Sequence, residues 1–391
     1  MVATQAKKGG PPKPVIRLEE IFERTILHFL DPVGEYLRDP TVTEIMINGP
    51  DEIFVERRGR LQLTEATFPN EASLMAAIRN ILQYVGKRLD PAHPMTDARL
   101  PDGSRVHVAM PPCSRRGVVV TIRKFSRQAF DMDFLVSSGC LTELSRDLLK
   151  LCIVTEKNLL VSGGTSSGKT SLLNVMSEYI PADRRIVVIE ESSELQLKQP
   201  HVLGLESRAA DRYGRGEVTI RELFKNSLRM RPDRVIVGEC RGGEALDMIQ
   251  AMTSGHAGSM TTLHADSPVD ALHRLETMAL MSNVEIPLSA LRAQVASAIH
   301  VIIQMMRFAD GSRRIVQISQ TLPLDNLGRY HVEDLFVLRM PEGEREIAKA
   351  RLEWTGTRLA FRKEVAVLAE IRNLPSLEPL LADKPGEGAL P

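Results

Sequence analysis

Residues 163–171 carry the residue types and the spacing of a phosphate-binding loop. They read GGTSSGKTS, and the first eight match the pattern G-x-x-x-x-G-K-[ST] without exception. The apolar run NLLVS precedes the loop and SLLNVM follows it, which predicts a strand, a loop and a helix. In that arrangement backbone N–H groups and the helix N-terminus converge on an anion. The residues predicted to bind nucleotide phosphates are Gly163, Gly164, Thr165, Ser166, Ser167, Gly168, Lys169, Thr170 and Ser171.

Two side chains of this loop have specific expected roles. Lys169 is expected to bridge the β- and γ-phosphates of ATP, because its ammonium is the cation of the motif. The Thr170 hydroxyl is expected to ligate the accompanying Mg²⁺. The implied cofactors are therefore ATP and Mg²⁺.

Glutamates at the ends of two apolar runs could supply the acidic groups that nucleotide hydrolysis needs. RVIVGE ends at Glu239, and RIVVIEE ends at Glu190 and Glu191. Ligands of a parallel sheet lie beyond the carboxyl ends of its strands, so these glutamates are expected to point toward the loop. Glu239 is the candidate for activating water, with Glu190 and Glu191 in supporting metal or water roles.

Two histidines, His256 and His264, stand eight residues apart in the stretch GHAGSMTTLHADSP. Zinc is one interpretation, since neutral imidazole is a common metal ligand. Cys240 and Asp266 are the nearest further candidates, and neither forms a paired ligand motif with the histidines. The spacing therefore disfavours a metal site.

The elements that must position these residues fall into two regions. Residues 16–128 combine a leading helix, alternating β-type runs with turns at Asn-Gly-Pro and Pro-Asp-Gly, and a second helix, which predicts a small α+β domain. In residues 129–370, short apolar runs alternate with helical stretches, which predicts a mainly parallel sheet covered on both faces. Residues 1–15 are expected to form a disordered tail and residues 371–391 a weakly ordered one.

Composition bears on the chain's compartment and on the partners it could attract through its overall charge. Lys plus Arg and Asp plus Glu are both 50 in 391 residues, so no overall field attracts nucleic acid or an anionic membrane. The four cysteines lack CxxC spacing, which favours a reducing compartment. There is no apolar run of about 20 residues and no signal-peptide pattern, so we expect a cytoplasmic protein that meets membranes only through partners.

Four motifs together resemble those of the type II/type IV secretion ATPase superfamily. They are the loop at 163–170, IEESSEL at 189–195, LRMRPDRVIVGECRGGEA at 228–245, and GHAGSMTTLHADSP from residue 255. The N-terminal stretches EIMINGPDEIFVERRGRLQL, DARLPDGSRVHVAMPP and TIRKF are similar to those of the CpaF/TadA branch, which drives tight-adherence (Flp-type) pili. In one place the chain departs from the family: it has Glu190-Glu191 where Glu-Asp is usual, so the division of roles between them stays open.

The resemblance implies a fold, an assembly and an activity. The fold would be a small PAS-like α+β domain followed by a RecA-like phosphate-loop ATPase domain. The assembly would be a homohexamer at the cytoplasmic face of the inner membrane, bound to platform proteins of a pilus or secretion machine. The activity would be ATP hydrolysis coupled to mechanical work, with His256 and His264 as structural sensors of phosphate occupancy.

Arginines outside the loop are expected to complete the charge around the γ-phosphate. Arg105 and Arg123 match basic positions of the family's N-terminal segment and are the main candidates. Further candidates are Arg99, Arg208 and Arg241. If the N-terminal domain closes over ATP, its opening after hydrolysis would be the power stroke.

Three alternatives to a pilus motor stay open. A type IV secretion or conjugative-transfer ATPase shares all the core motifs. A nucleotide-gated scaffold would bind ATP with little turnover, although Glu239 argues against it. A nucleic-acid translocase is disfavoured by the neutral charge and the aromatic content of 4%.

Overall fold

The chain divides into two compact units, Met1–Gln128 and Ala129–Pro391. The computed structural model describes residues 25–125, 131–210, 214–344, 346–371 and 377–381. The tail predicted at residues 1–15 lies outside the described residues, and so do residues 372–376 and 382–391 of the predicted C-terminal tail. In the described ranges, no helix is both long enough and apolar enough to cross a membrane.

The first unit is a six-stranded antiparallel sheet with helices, in the strand order β3-β2-β1-β6-β5-β4. Its elements are α1 (Gly34–Arg38), β1 (Val42–Ile47), β2 (Ile53–Arg57), β3 (Arg60–Leu63), α2 (Glu71–Tyr84), β4 (Met95–Arg99), β5 (Arg105–Ala109) and β6 (Val119–Arg123). Side chains alternate between the two faces of each strand. One face of the sheet therefore buries residues such as Ile45 and Ile122 in the same core as Leu74 and Ile78 of α2. Asn70 begins α2 by accepting a hydrogen bond from the Ser73 N–H at 2.9 Å.

Strand β3 is one edge of this sheet and is exposed along its whole length. Leu61 and Leu63 are 65% and 63% exposed. Arg60 opens the strand directly after the turn at Arg58 and Gly59.

The second unit is built on a nine-stranded sheet in the order β15-β14-β13-β12-β7-β11-β10-β8-β9. Strands β12, β7, β11, β10, β8 and β9 run parallel to one another, while β13, β14 and β15 extend the sheet from β12 by antiparallel pairing. Its strands are β7 (Leu159–Gly163), β8 (Ile186–Glu190), β9 (Val202–Glu206), β10 (Arg234–Val237), β11 (Met260–Leu263), β12 (Val301–Arg307), β13 (Arg313–Leu322), β14 (His331–Arg339) and β15 (Arg351–Trp354). Its helices are α3 (Met132–Ser137), α4 (Glu143–Val154), α5 (Lys169–Ser177), α6 (Ile220–Ser227), α7 (Glu244–Thr253), α8 (Pro268–Leu280), α9 (Leu288–Ala298), α10 (Arg362–Ile371) and α11 (Glu378–Leu381).

Helices cover both faces of this sheet, because its central strands are apolar on both sides. Leu159 and Val161 of β7 join a core with α4, α5, α10 and α11, while Leu160 joins a second core with α6 to α9. Strands β7, β8, β10 and β11 are buried throughout. The predicted fold, a small α+β part followed by a larger part with a mainly parallel sheet, is confirmed.

Residues 377–381, part of the predicted weakly ordered C-terminal tail, pack onto the second unit. Leu377 and Leu380 are fully buried in the core of the second unit, and the Leu380 carbonyl accepts a hydrogen bond from the Leu359 N–H at 3.2 Å. Helix α11 has only four residues, which is too short for a periodic pattern to reveal it.

Candidate nucleotide site

The loop between β7 and α5 adopts a backbone that depends on glycine at its first position. Gly163 has φ +154°, and a Cβ added there would lie 2.3 Å from the Met305 carbonyl oxygen of β12. The Ser167 hydroxyl donates to the Gly164 carbonyl at 2.9 Å and closes the turn from inside. Gly168, with φ +96°, leads into the first residue of α5. The strand, loop and helix predicted from the motif are therefore present at the expected positions.

The Lys169 side chain lies folded inside this loop. The residue is 7% exposed, and its Nζ donates to the carbonyls of Gly163 at 3.0 Å and Gly164 at 2.8 Å. The same Nζ is 3.4 Å from Nδ1 of His264. The loop carbonyls thus hold the ammonium at the mouth of the loop.

Glu239 lies beyond the carboxyl end of β10 and is held through both of its oxygens. Its Oε1 is 3.1 Å from Nε2 of His264, and its Oε2 accepts a hydrogen bond from Arg241 at 2.8 Å. Burial alone would raise the pKa of Glu239, but the hydrogen bond and charge of Arg241, with His264 and Lys169, hold that pKa below its usual value. Glu239 is therefore an anion at neutral pH.

His264 joins Lys169 to Glu239 through its two ring nitrogens. Burial and the Lys169 ammonium lower the pKa of His264, although the Glu239 carboxylate opposes them, so the imidazole is neutral at pH 7. An ammonium can only donate, so Nδ1 accepts from Lys169 and the ring proton sits on Nε2, which donates to Glu239. We call these three groups the lysine–histidine–glutamate chain.

The two adjacent glutamates at the end of β8 have different surroundings. Glu190 is buried, and its Oε1 accepts hydrogen bonds from the N–H groups of Glu194 at 2.9 Å and Leu195 at 3.0 Å. Glu191 is exposed and forms an ion pair with Arg241. Glu190 thus shapes the segment that follows β8, whereas Glu191 reaches Glu239 through a shared arginine.

Glycine precedes Glu239 because Glu190 occupies the adjoining space. A Cβ added at Gly238 would lie 2.9 Å from Cγ of Glu190. The Gly238 carbonyl also accepts a hydrogen bond from the Thr262 hydroxyl at 2.7 Å. The backbone that carries Glu239 is therefore fixed from both neighbouring strands.

His256 and His264 lie at opposite ends of β11, and His264 is the one that contacts Lys169 of the loop. Their role as sensors of phosphate occupancy stays a prediction. His256 precedes β11 and His264 follows it, and the four residues of β11 span about 13 Å. The His256 carbonyl accepts from the Ser259 hydroxyl at 2.9 Å, and the Ser259 N–H donates to Asn158 Oδ1 at 3.1 Å. The zinc interpretation fails on the same geometry, because the two imidazoles cannot meet one ion.

The candidate arginines occupy three separate places. Arg99, Arg105 and Arg123 are paired across β4, β5 and β6 and form a row on the face of the first unit's sheet away from α2. Arg241 belongs to the site through Glu239 and Glu191. Arg208 follows the outermost strand β9, about 19 Å from β7 across the sheet, and its side chain donates to the Gly216 carbonyl.

A cleft of about 340 Å³ opens beside Glu239 and is lined by Glu239, Cys240, Arg241, His264 and Arg274. The hydroxyl of Thr170, the second residue of α5, is a hard oxygen donor, which suits Mg²⁺. Within the described residues, no group of three or more His, Cys, Asp or Glu side chains could hold a metal ion by itself. The donor set therefore fits a magnesium ion that arrives with phosphate oxygens.

Sequence reasoning missed two arginines near the site. Arg274 of α8 lines the cleft and contributes to lowering the pKa of His264. Arg313 of β13 donates from Nε to the Ser166 carbonyl of the loop at 2.8 Å. Neither belongs to a local motif, and only the folded sheet brings Arg313 to a loop that lies 147 residues away in sequence.

Comparison with known proteins places these features in one family. The model of the type II/IV secretion system protein family matches residues 29–337. The type IV secretion system protein PtlH homolog of Bordetella bronchiseptica is 33% identical over 318 residues, which cover 73% of this chain and 92% of that protein. The conjugal transfer protein TrbB of Rhizobium radiobacter is 29% identical over 297 residues, covering 74% of this chain and 88% of that protein.

A solved structure agrees in fold. The crystal structure of the pilus retraction motor PilT with bound ADP has a TM-score of 0.52 and 17% identity, and the match covers 91% of each chain. The family match itself includes the loop, Glu239 and both histidines. This chain therefore belongs to the type II/IV secretion system protein family.

Proposed function

We propose that this protein binds ATP with Mg²⁺ at the loop 163–171 and hydrolyses it. The observation that carries the proposal is the lysine–histidine–glutamate chain. It joins the cation expected at the β- and γ-phosphates to a half-buried carboxylate, through a neutral imidazole. The family, whose members include type IV secretion and conjugal transfer proteins, supports an ATPase of this class.

In this mechanism the loop supplies binding and Lys169 supplies charge. When phosphate arrives, the ammonium exchanges the carbonyls of Gly163 and Gly164 for phosphate oxygens, which are stronger acceptors. Thr170 would hold Mg²⁺, which offsets the negative charge of the triphosphate. Backbone N–H groups from Gly164 to Ser171 complete the cradle.

Glu239 is the proposed general base. Its carboxylate orients water and accepts a proton from it at Oε2 or Oε1, as the water oxygen bonds to the γ-phosphorus and the bond to ADP breaks. Arg241 and His264 hold the carboxylate in place and keep it ionised. Glu191 supports this arrangement through Arg241, and Glu190 supports it by shaping the segment after β8.

Replacing Lys169 by alanine tests the phosphate assignment. Turnover should fall at least about a hundredfold, because no other ammonium is bonded to the loop among the described residues. The matched control is Lys198→Ala, which removes an exposed lysine paired with Glu178 and should leave turnover unchanged. Phosphate release under multiple turnover is the measurement, and wild-type turnover by the Lys169 variant would refute the site.

We further propose that ATP hydrolysis drives a homohexameric motor at the cytoplasmic face of the inner membrane. Its partners would be platform proteins of a pilus or secretion machine, with no direct contact to nucleic acid. The resemblance of the N-terminal segment favours a tight-adherence (Flp-type) pilus. A wild-type protein that binds ATP but releases phosphate only once would instead be a nucleotide-gated scaffold.

A type IV secretion or conjugative-transfer machine is the second candidate. The names of the relatives from Bordetella bronchiseptica and Rhizobium radiobacter favour it. Genetic context separates the two: neighbouring prepilin and prepilin-peptidase genes would indicate a pilus, and a relaxase gene would indicate conjugation. Deletion followed by assays of piliation and of plasmid transfer gives the functional answer.

A further inference from the structure

We propose that Arg313 is a positioning residue for nucleotide binding, which holds the apex of the phosphate loop from the neighbouring antiparallel strand. This inference rests on the proposed ATP site. Arg313 is the first residue of β13, outside the four motifs that the family shares. Its Nε donates to the Ser166 carbonyl at 2.8 Å.

The loop apex needs an external partner because of its backbone conformation. Ser166 has φ +57°, in the left-handed region that a residue with a side chain adopts only at a cost. In a loop whose N–H groups turn inward to an anion, the carbonyls turn outward and need donors. Arg313 supplies a charged donor to the carbonyl of the strained residue.

Lys169 and Ser167 also donate hydrogen bonds to loop carbonyls, but they behave differently from Arg313 when phosphate binds. Lys169 donates to Gly163 and Gly164, and it must leave those carbonyls to reach phosphate. Ser167 donates to Gly164 from within the loop and moves with it. Arg313 comes from another strand, so it can hold the Ser166 carbonyl while Lys169 changes partners.

Arg313 is itself fixed by its surroundings. Its side chain crosses Gly168, where an added Cβ would lie 3.5 Å from Arg313 Cδ. Its carbonyl accepts a hydrogen bond from Cys140 Sγ at 3.5 Å. Strand β12 lies between β13, which carries Arg313, and β7, which leads into the loop, and it pairs with both. Met305 of β12 is the register partner of Gly163. The guanidinium therefore reaches the loop from a rigid base.

The experiment compares Arg313→Gln and Arg313→Lys with the control Arg339→Gln in the full chain. Arg339 is an exposed arginine at the end of β14, 3.7 Å from Glu353, and has no part in the site. We expect Arg313→Gln to raise KM for ATP and the Kd of ADP about tenfold, with kcat changed less than about twofold. Lysine restores one charged donor and should recover most of the affinity.

Thermal melting without and with Mg·ADP separates positioning from general stability. For Arg313→Gln, the Tm without nucleotide should match the control, and the increase caused by Mg·ADP should be smaller. Wild-type Kd and KM in Arg313→Gln would overturn the inference, as would a drop in the nucleotide-free Tm that lysine restores without any change in affinity. A wild-type chain that binds no ADP would instead refute the proposed ATP site.

Discussion

At the scale of single residues, Glu190 at the end of β8 and Glu239 beyond β10 show how position decides chemistry. One oxygen of Glu190 accepts hydrogen bonds from two backbone N–H groups, which is typical of a structural carboxylate. Glu239 instead faces a neutral imidazole, an arginine and the open cleft. Both stand at strand ends in sequence, and only the folded geometry separates the two roles.

Glu239→Gln should keep nucleotide binding and lose hydrolysis. The amide preserves the shape and can still contact His264, but it cannot accept the proton of water. We expect kcat to fall at least about a hundredfold, while the Kd of ATP stays within about threefold of wild type. Glu353→Gln, on the exposed edge strand β15, is the matched control.

The outcome that contradicts this role is a parallel loss of affinity and rate in Glu239→Gln. That result would make Glu239 a binding residue. Single-turnover phosphate release with saturating ATP distinguishes the two, because it reports the chemical step alone.

At the scale of elements, the ends of β7 and β12 opposite the loop are joined by His300. Its Nδ1 accepts the Asn158 N–H at 3.1 Å, just before β7 begins. Burial, followed by the charge of nearby Lys157, lowers the pKa of His300 to about 4, while Glu364 opposes the shift. Lys157 itself is paired with Glu364 of α10.

This histidine makes the free energy of unfolding depend on pH. Above about pH 6.5 it is neutral in both the folded and the unfolded chain, so its contribution is complete. Between about pH 6.5 and about pH 4 only the unfolded chain takes up the proton, so stability falls, by at most about 3 kcal/mol. Urea unfolding of wild type and His300→Asn across this range is the measurement.

Asparagine can accept the Asn158 N–H but does not titrate, so the His300→Asn protein should lose stability less steeply than wild type below pH 6.5. Equal slopes for the two proteins would show that His300 does not bind fewer protons when folded. A difference between wild type and His300→Asn in the free energy of unfolding at pH 7.5 would reflect altered packing at position 300, which is separate from the effect of pH.

The elements that the sequence predicted are those with strong local patterns. The runs that became β7, β8 and β10 are mainly apolar and are buried throughout, and the motif marks the loop between β7 and α5. Strand β11 was missed because its Thr261 and Thr262 read as polar, although both are buried. The Thr262 hydroxyl bonds to the Gly238 carbonyl, a pairing that only tertiary structure creates.

The same limit applies to the site. Local motifs located Lys169 through the phosphate-loop pattern, Glu239 at the end of an apolar run, and His264 within the stretch GHAGSMTTLHADSP. They could not separate His256 from the site or bring Arg313 into it, since both outcomes depend on strand order and register. Local sequence patterns predict where strands end, whereas the order of strands in the sheet determines which of these ends lie next to each other.

At the scale of the whole molecule, the arginine row of the first unit gives that unit a proposed part in catalysis. Arg105 lies between Arg99 and Arg123 in register, and Arg123 is 3.9 Å from Glu44. A row of cations on one sheet face suits the developing charge of a phosphoryl group. We propose that Arg105 and Arg123 reach the phosphates when the unit closes over ATP, in a homohexamer.

Arg105→Ala and Arg123→Ala should each lower kcat at least about tenfold without changing the assembly. Arg116→Ala, which breaks an exposed pair with Glu52 in the same unit, is the control. Light scattering after size exclusion, with and without Mg·ATP, measures the assembly. Wild-type rates in both arginine variants would remove the first unit from the catalytic mechanism, and a stable monomer in all conditions would remove the ring.

The exposed edge strand β3 has a consequence for association between copies of this chain. An edge strand offers unpaired backbone groups to any other strand, and Leu61 and Leu63 add apolar surface to that edge. The strand has only four residues, and Arg58 and Arg60 place positive charge where a second copy would have to approach. We expect these arginines to oppose edge-to-edge pairing, because like charges repel each other as two such edges approach.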